Sequence, residues 1–121
     1  MFLATINKSK QLLVMSFIAE VRVEDLAQSH DEVALMIDEL NSDFRLLTDL
    51  TRLDSMGVEC GNEIGRIMEL CDQKGVKLVI RVIPDPTKDI GLSILALFHY
   101  KHPPRTVTCQ SFVEAAKLLS D

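Results

Sequence analysis

The sequence is poor in the features that most often announce a function. Its three cysteines, Cys60, Cys71 and Cys109, are odd in number and show no CxxC spacing. That argues against a disulfide framework and suits reduced thiols in a core. No apolar run approaches the roughly 20 residues of a membrane span. The longest, 90–98, is interrupted by Gly91 and Ser93. The apolar residues from Phe2 to Ile6 are followed by Lys8 and Lys10 without a small-residue cleavage site, so no secretory leader is expected. The 13 Lys and Arg residues are scattered along a chain of net charge −5, and such a chain does not attract a phosphate backbone. GxSxG, GxGxxG and Walker-type loops are lacking. His99 and His102 stand three apart with no third ligand in evidence. These absences predict a cytoplasmic, non-enzymatic protein with no cofactor, no metal and no nucleic-acid partner.

What is present is enough for one core. A chain of 121 residues, 47% of them hydrophobic, is expected to form a single domain spanning 1–121. Its organising stretch is 44–82. The run Phe44 to Leu50 reads as a buried strand, Arg52 to Gly57 as a tight acidic turn, Val58 to Lys74 as an amphipathic helix and Val76 to Val82 as a second buried strand. Strand, helix and strand of these lengths make a βαβ crossover, with Asp54 and Ser55 at the helix N-terminus. In the helix, Cys60, Ile64, Ile67, Met68 and Cys71 share one face, and Glu59, Asn62, Glu63, Arg66 and Gln73 lie opposite. Gly57, Gly61 and Gly65 recur every fourth residue along one flank, as required where a neighbouring element, a ligand or a second subunit comes close.

The flanking segments complete the pattern. Phe2–Ile6 and Gln11–Ile18 form a hairpin around a polar turn, and Val23–Leu40 has the helical spacing Leu26, Val33, Ile37, Leu40. Pro84-Asp85-Pro86 ends the second central strand. Asp85 can cap the next helix with Pro86 at its first position. That helix carries an apolar stripe of Ile90, Ile94, Leu97 and Phe98, so it is either deeply buried or covered by a partner. Arg105–Cys109 is a last strand, and Ser111 with Glu114 is spaced as a capping box for a final helix. The order ββαβαβαβα predicts an α/β fold with a mixed, mainly parallel sheet of about five strands and about four helices.

The stretch Leu47 to Gly57 resembles the STAS domain family, which includes bacterial anti-sigma factor antagonists (SpoIIAA-like proteins) and sulfate-transporter tails. In that family a strand ends in an aspartate, and Asp-Ser-Ser/Thr-Gly then opens a helix. The resemblance implies that Asp49 matches the strand-end aspartate, Asp54 the residue before the phosphoacceptor, Ser55 the phosphoacceptor and Gly57 the glycine. Met56 stands where a second hydroxyl residue is usual. Pro84 to Gly91 looks like the signature of a divergent, uncharacterised bacterial branch.

The resemblance implies a regulatory module that binds a protein partner through this turn, with phosphorylation of Ser55 as the switch. A phosphate adds about −1.5 to −2 of charge, enough to eject a docked partner. The bland alternative for Ser55 is a helix-capping serine. A second candidate region is the loop Asp85, Thr87, Lys88 and Asp89, at the strand carboxyl edge where open α/β sheets form ligand crevices. There the alternative is a cap plus solvated charges. Related sheet folds carry lipids, so a small-molecule or lipid pocket near residues 83–97 is the competing function. A third reading is a homodimer formed through the glycine flank or the apolar helix.

Overall fold

The computed structural model describes residues 1–85 and 89–120. The described strands form one sheet in the order β1-β2-β3-β4-β5. These are β1 (Phe2–Asn7), β2 (Leu12–Val21), β3 (Arg45–Met56), β4 (Leu78–Val82) and β5 (Arg105–Cys109). β1 and β2 are the antiparallel hairpin, and every later pairing is parallel. Parallel neighbours require crossovers, which are α1 (Val23–Asp38), α2 (Gly61–Lys74) and α3 (Asp89–His99), and α4 (Phe112–Leu119) follows β5. The expected mixed, mainly parallel α/β sheet with four helices is therefore the fold observed.

Alternation along the strands builds two cores. Leu13, Leu46 and Val79 are register partners on one face and pack with Leu26, Val33 and Ile37 of α1 and Ile64, Ile67 and Cys71 of α2. The next residues along each strand, Leu47 and Ile80, point to the other face, where they cluster with Cys109 of β5 and Ala115 of α4. β4 is buried from Val79 to Val82, as a strand covered on both sides must be. The α2 face predicted from its spacing is the buried one, and Gly75 closes that helix in the left-handed conformation (φ 93°).

All three cysteines are buried and unpaired by disulfides. Loss of hydration pushes the Cys71 thiol up to about 12 and also raises those of Cys60 and Cys109. The native protein is therefore expected to resist a thiol reagent such as Ellman's at pH 8 and to release three equivalents in denaturant. Fast reaction of a thiol in the native state would contradict this packing.

One sequence expectation is corrected. β3 does not stop at Leu50, because β2 runs on to Val21 and residues Arg52 to Met56 pair with it, Glu20 opposite Ser55 and Val21 opposite Met56. At two register shifts, opposite Ser16/Ile18 and Ala19/Glu20, β3 carries one more residue than β2, and these bulges bend the extension. The presumed acidic turn is thus strand, and α2 begins only at Gly61, after a 3-10 turn at Val58–Cys60. Of the two alternatives left open for helix α3, deep burial is excluded. Its inner side, Leu92, is covered, while Ile94, Leu97 and Phe98 are 50%, 81% and 80% exposed. Pro86, expected as the first helical residue, lies outside the described residues.

Candidate functional site

The carboxyl end of β3 opens on a groove of about 600 Å3. One wall is the end of β3 and the turn after it, Leu53 to Val58. The other is α3, through Gly91, Leu92, Ile94 and Leu95, and Gly61 and Ile64 of α2 form the floor. The sides are mainly apolar, and Asp54 and Ser55 supply the polar rim. This is the volume range of small-ligand clefts and of the anchor pockets that hold a partner's side chains. Beneath it, Leu92 and Ile64 also border a small cavity of about 30 Å3 whose polar walls are Thr48, Arg81 and Tyr100. It is large enough for about one water molecule.

The groove exists because glycines let α3 approach α2. A Cβ on Gly61 would lie 3.7 Å from Leu95 Cδ2, an ordinary contact, whereas one on Gly65 would lie 2.7 Å from Cδ2 of the His99 ring. That ring is held in place by Glu69, with 2.6 Å between Nδ1 and Oε2. The flank of glycines is therefore explained at Gly65 by close helix packing. Gly65→Ala is expected to lose about 1 kcal/mol despite its better helix propensity, because overpacking costs about 1–3 kcal/mol. Combining it with His99→Ala should recover that loss in urea unfolding. Equal stability of Gly65→Ala and wild type would show that the ring moves aside freely.

The amino end of α3 is fixed differently. Arg81, only 4% exposed, donates from Nη1 to Asp89 Oδ1 at 3.0 Å and to Ser93 Oγ at 3.0 Å, and Thr108 Oγ1 donates to Asp89 Oδ2 at 2.9 Å. A buried guanidinium needs such partners. Asp89 is thus committed to tying α3 to β4 and β5 and does not line the groove. At the other end of α3, His102 donates its backbone N–H to the buried carboxylate of Asp72 at 2.9 Å. His99 and His102 are accounted for by these contacts with α2.

The sequence-derived candidates separate as follows. Asp54, Ser55, Met56 and Gly57 all line the groove, with Asp54, Ser55 and Gly57 exposed. Ser55 is not at a helix N-terminus, so neither the capping role nor stabilisation of a phosphate by the α2 dipole applies to it. The 3-10 turn is capped at Gly57, and the residue preceding α2 is Cys60. Asp49 lies within β3, not at its end. It is buried and accepts from Thr51 N–H at 2.9 Å and Thr51 Oγ1 at 2.7 Å. Asp85 is exposed after β4, and Thr87 and Lys88 lie outside the described residues. Leu92 and Leu95 fall in the segment 83–97 expected to border a pocket, and Leu53 in the stretch read as a turn, whereas Ile64 went unnoticed as a site residue because it reads in the sequence as part of the buried stripe of α2.

No protein-family profile matches the chain, and no curated protein matches it in sequence. Solved structures do. An uncharacterised protein of the DUF3478 family with a SpoIIAA-like fold, from Shewanella loihica PV-4, superposes with TM-score 0.74 at 16% identity, over 98% of this chain and 93% of that one. The anti-sigma factor antagonist SpoIIAA in its unphosphorylated form gives 0.68 at 14% identity, over 99% and 98%. An anti-sigma factor antagonist from Mycobacterium paratuberculosis gives 0.60 at 12% identity, over 100% and 96%. The likeness spans nearly the whole of each chain, and at these identities it establishes one thing: the protein has the STAS, or SpoIIAA-like, fold.

Proposed function

We propose that the protein is a non-enzymatic regulatory module of the cytoplasm that binds another protein in the groove between the end of β3 and α3. Phosphorylation of Ser55 opposes that binding. The observation that carries the reading is the placement of an exposed Ser55 beside Asp54 on the rim of a cleft whose walls are otherwise Leu53, Met56, Val58, Ile64, Leu92 and Leu95. Anti-sigma factor antagonists of the same fold supply the precedent for a regulatory role.

The electrostatics give the switch its sign. Ser55 is the register partner of Glu20 and follows Asp54, so a phosphate would join two carboxylates. An apolar partner surface would have to desolvate it, at a cost its contacts do not return. Mass spectrometry of the protein from its own cells is expected to find phosphate on Ser55, and Ser55→Asp is expected to weaken partner recovery at least tenfold while Ser55→Ala does not. An unmodified Ser55 in every growth condition, together with full recovery by Ser55→Asp, would remove the switch.

A second reading is favoured by the concavity itself: a small apolar or lipid-like ligand could fill the same groove, where the segment 83–97 contributes Gly91, Leu92, Ile94 and Leu95. Native mass spectrometry after gentle purification separates the two. A bound small mass supports the ligand, and a bare chain that gains mass only with a partner protein supports the module.

A further inference from the structure

At the opposite edge of the sheet, where the parallel strands begin, the fold assembles a second and chemically different cleft. It measures about 570 Å3, and its lining includes Lys10, Arg45, Lys77 and Arg105, with Gln11, Asn41 and Ser42 as neutral polar groups. The four bases are far apart in the sequence, yet each stands at the start of a parallel strand. Lys10 precedes β2, Arg45 opens β3, Lys77 precedes β4 and Arg105 opens β5. Arg45, Leu78 and Arg105 are consecutive register partners, so Arg45 and Arg105 point to the same face on either side of Leu78. Two strand spacings put their backbones roughly 10 Å apart.

None of the four forms an ion pair among the described residues, and Asp43 is the one acidic side chain in the lining. This is unexpected in a chain of net charge −5. Arg45 is held rigidly: Nη1 donates to Leu119 O at 3.0 Å and Nη2 to Lys10 O at 2.7 Å. A guanidinium has five N–H donors. Its remaining donors are available to an oxyanion, for which this planar fork is the best-suited side chain. The lining holds no aromatic side chain on which a nucleobase could stack. Recognition here is by charge.

From this we infer that the strand-start cleft binds a small soluble polyanion carrying a phosphate or pyrophosphate group. The site lies on the opposite edge of the sheet from the apolar groove and does not depend on the function proposed for that groove. Inorganic pyrophosphate is the probe, titrated against isotope-labelled protein at constant ionic strength made up with chloride. Amide shifts are expected at Gln11, Asn41 to Arg45, Lys77, Leu78 and Arg105. Replacing the exposed bases as Lys77→Gln/Arg105→Gln is expected to weaken binding at least tenfold, and Arg52→Gln/Lys101→Gln, elsewhere on the surface, to leave it unchanged. Thermal melting of both double variants confirms that they are folded. Equal affinity for wild type and Lys77→Gln/Arg105→Gln, or equal weakening by the two double variants, would overturn the site. Binding to vesicles containing phosphatidic acid without any response to pyrophosphate would assign the charge to a lipid surface and overturn the soluble ligand.

Discussion

Replacing Asp89 by alanine is expected to cost the fold about 3 kcal/mol, roughly a hundredfold in the folding equilibrium. Asp89 forms an ion pair at 3.0 Å with the guanidinium of Arg81, which is 4% exposed. Truncation leaves that charge with Ser93 Oγ among the described groups, and an orphaned buried charge is far costlier than the net worth of the pair. The figure is taken at the low end of the range because the Asp89 side chain is 24% exposed, so water can reach the vacated position. Thr108 also loses its acceptor. The cause can be separated from mere loss of packing by removing the charge as well: Arg81→Met/Asp89→Leu should recover most of the stability. Urea unfolding measures all three proteins. An Asp89→Ala midpoint indistinguishable from wild type would mean that α3 is not anchored through this pair.

Much of this architecture was legible in the residues, for reasons that show where legibility ends. The stripe Cys60, Ile64, Ile67, Met68, Cys71 identified α2 and its buried face, because an amphipathic helix needs only one neighbour to fix which side is inside. The continuous run at β4 announced a strand covered on both faces. The end of β3 was not legible. Arg52 to Met56 is polar enough to read as a turn, and it becomes strand only because β2 continues to Val21 and offers its hydrogen-bonding edge. Strand propensity is decided by such pairing more than by local composition. The same misreading placed Ser55 on a helix terminus, whereas the chain puts it on a groove rim.

The groove itself combines a strand end with a helix more than 30 residues later, a juxtaposition that only the parallel crossover creates. The basic cleft was read in reverse, as scattered charge. Its signal was a base at the start of each parallel strand, at intervals of 35, 32 and 28 residues between positions 10, 45, 77 and 105. That regular spacing is the length of the repeating strand–helix unit.

The central claim is that the groove between β3 and α3 is where a partner protein docks. Gly61→Phe addresses it with the least disturbance to the fold. Among the described residues a Cβ at this position meets Leu95 Cδ2 at 3.7 Å, an ordinary contact with a side chain and not with backbone. Substituting a glycine in a helix also favours the helix by a few tenths of a kcal/mol or more. The ring would extend into the groove that Gly61 floors and occupy the space a partner's anchor needs. Competition for a pocket of this kind is expected to weaken a partner at least tenfold, equivalent to about 1.4 kcal/mol. The most direct measurement is quantitative affinity purification from the protein's own cells, with wild type and Gly61→Phe at matched abundance and matched melting temperature. A protein recovered with wild type and reduced at least tenfold with Gly61→Phe is the predicted result; recovery of the same partners in the same amounts by both would contradict the assignment of the groove.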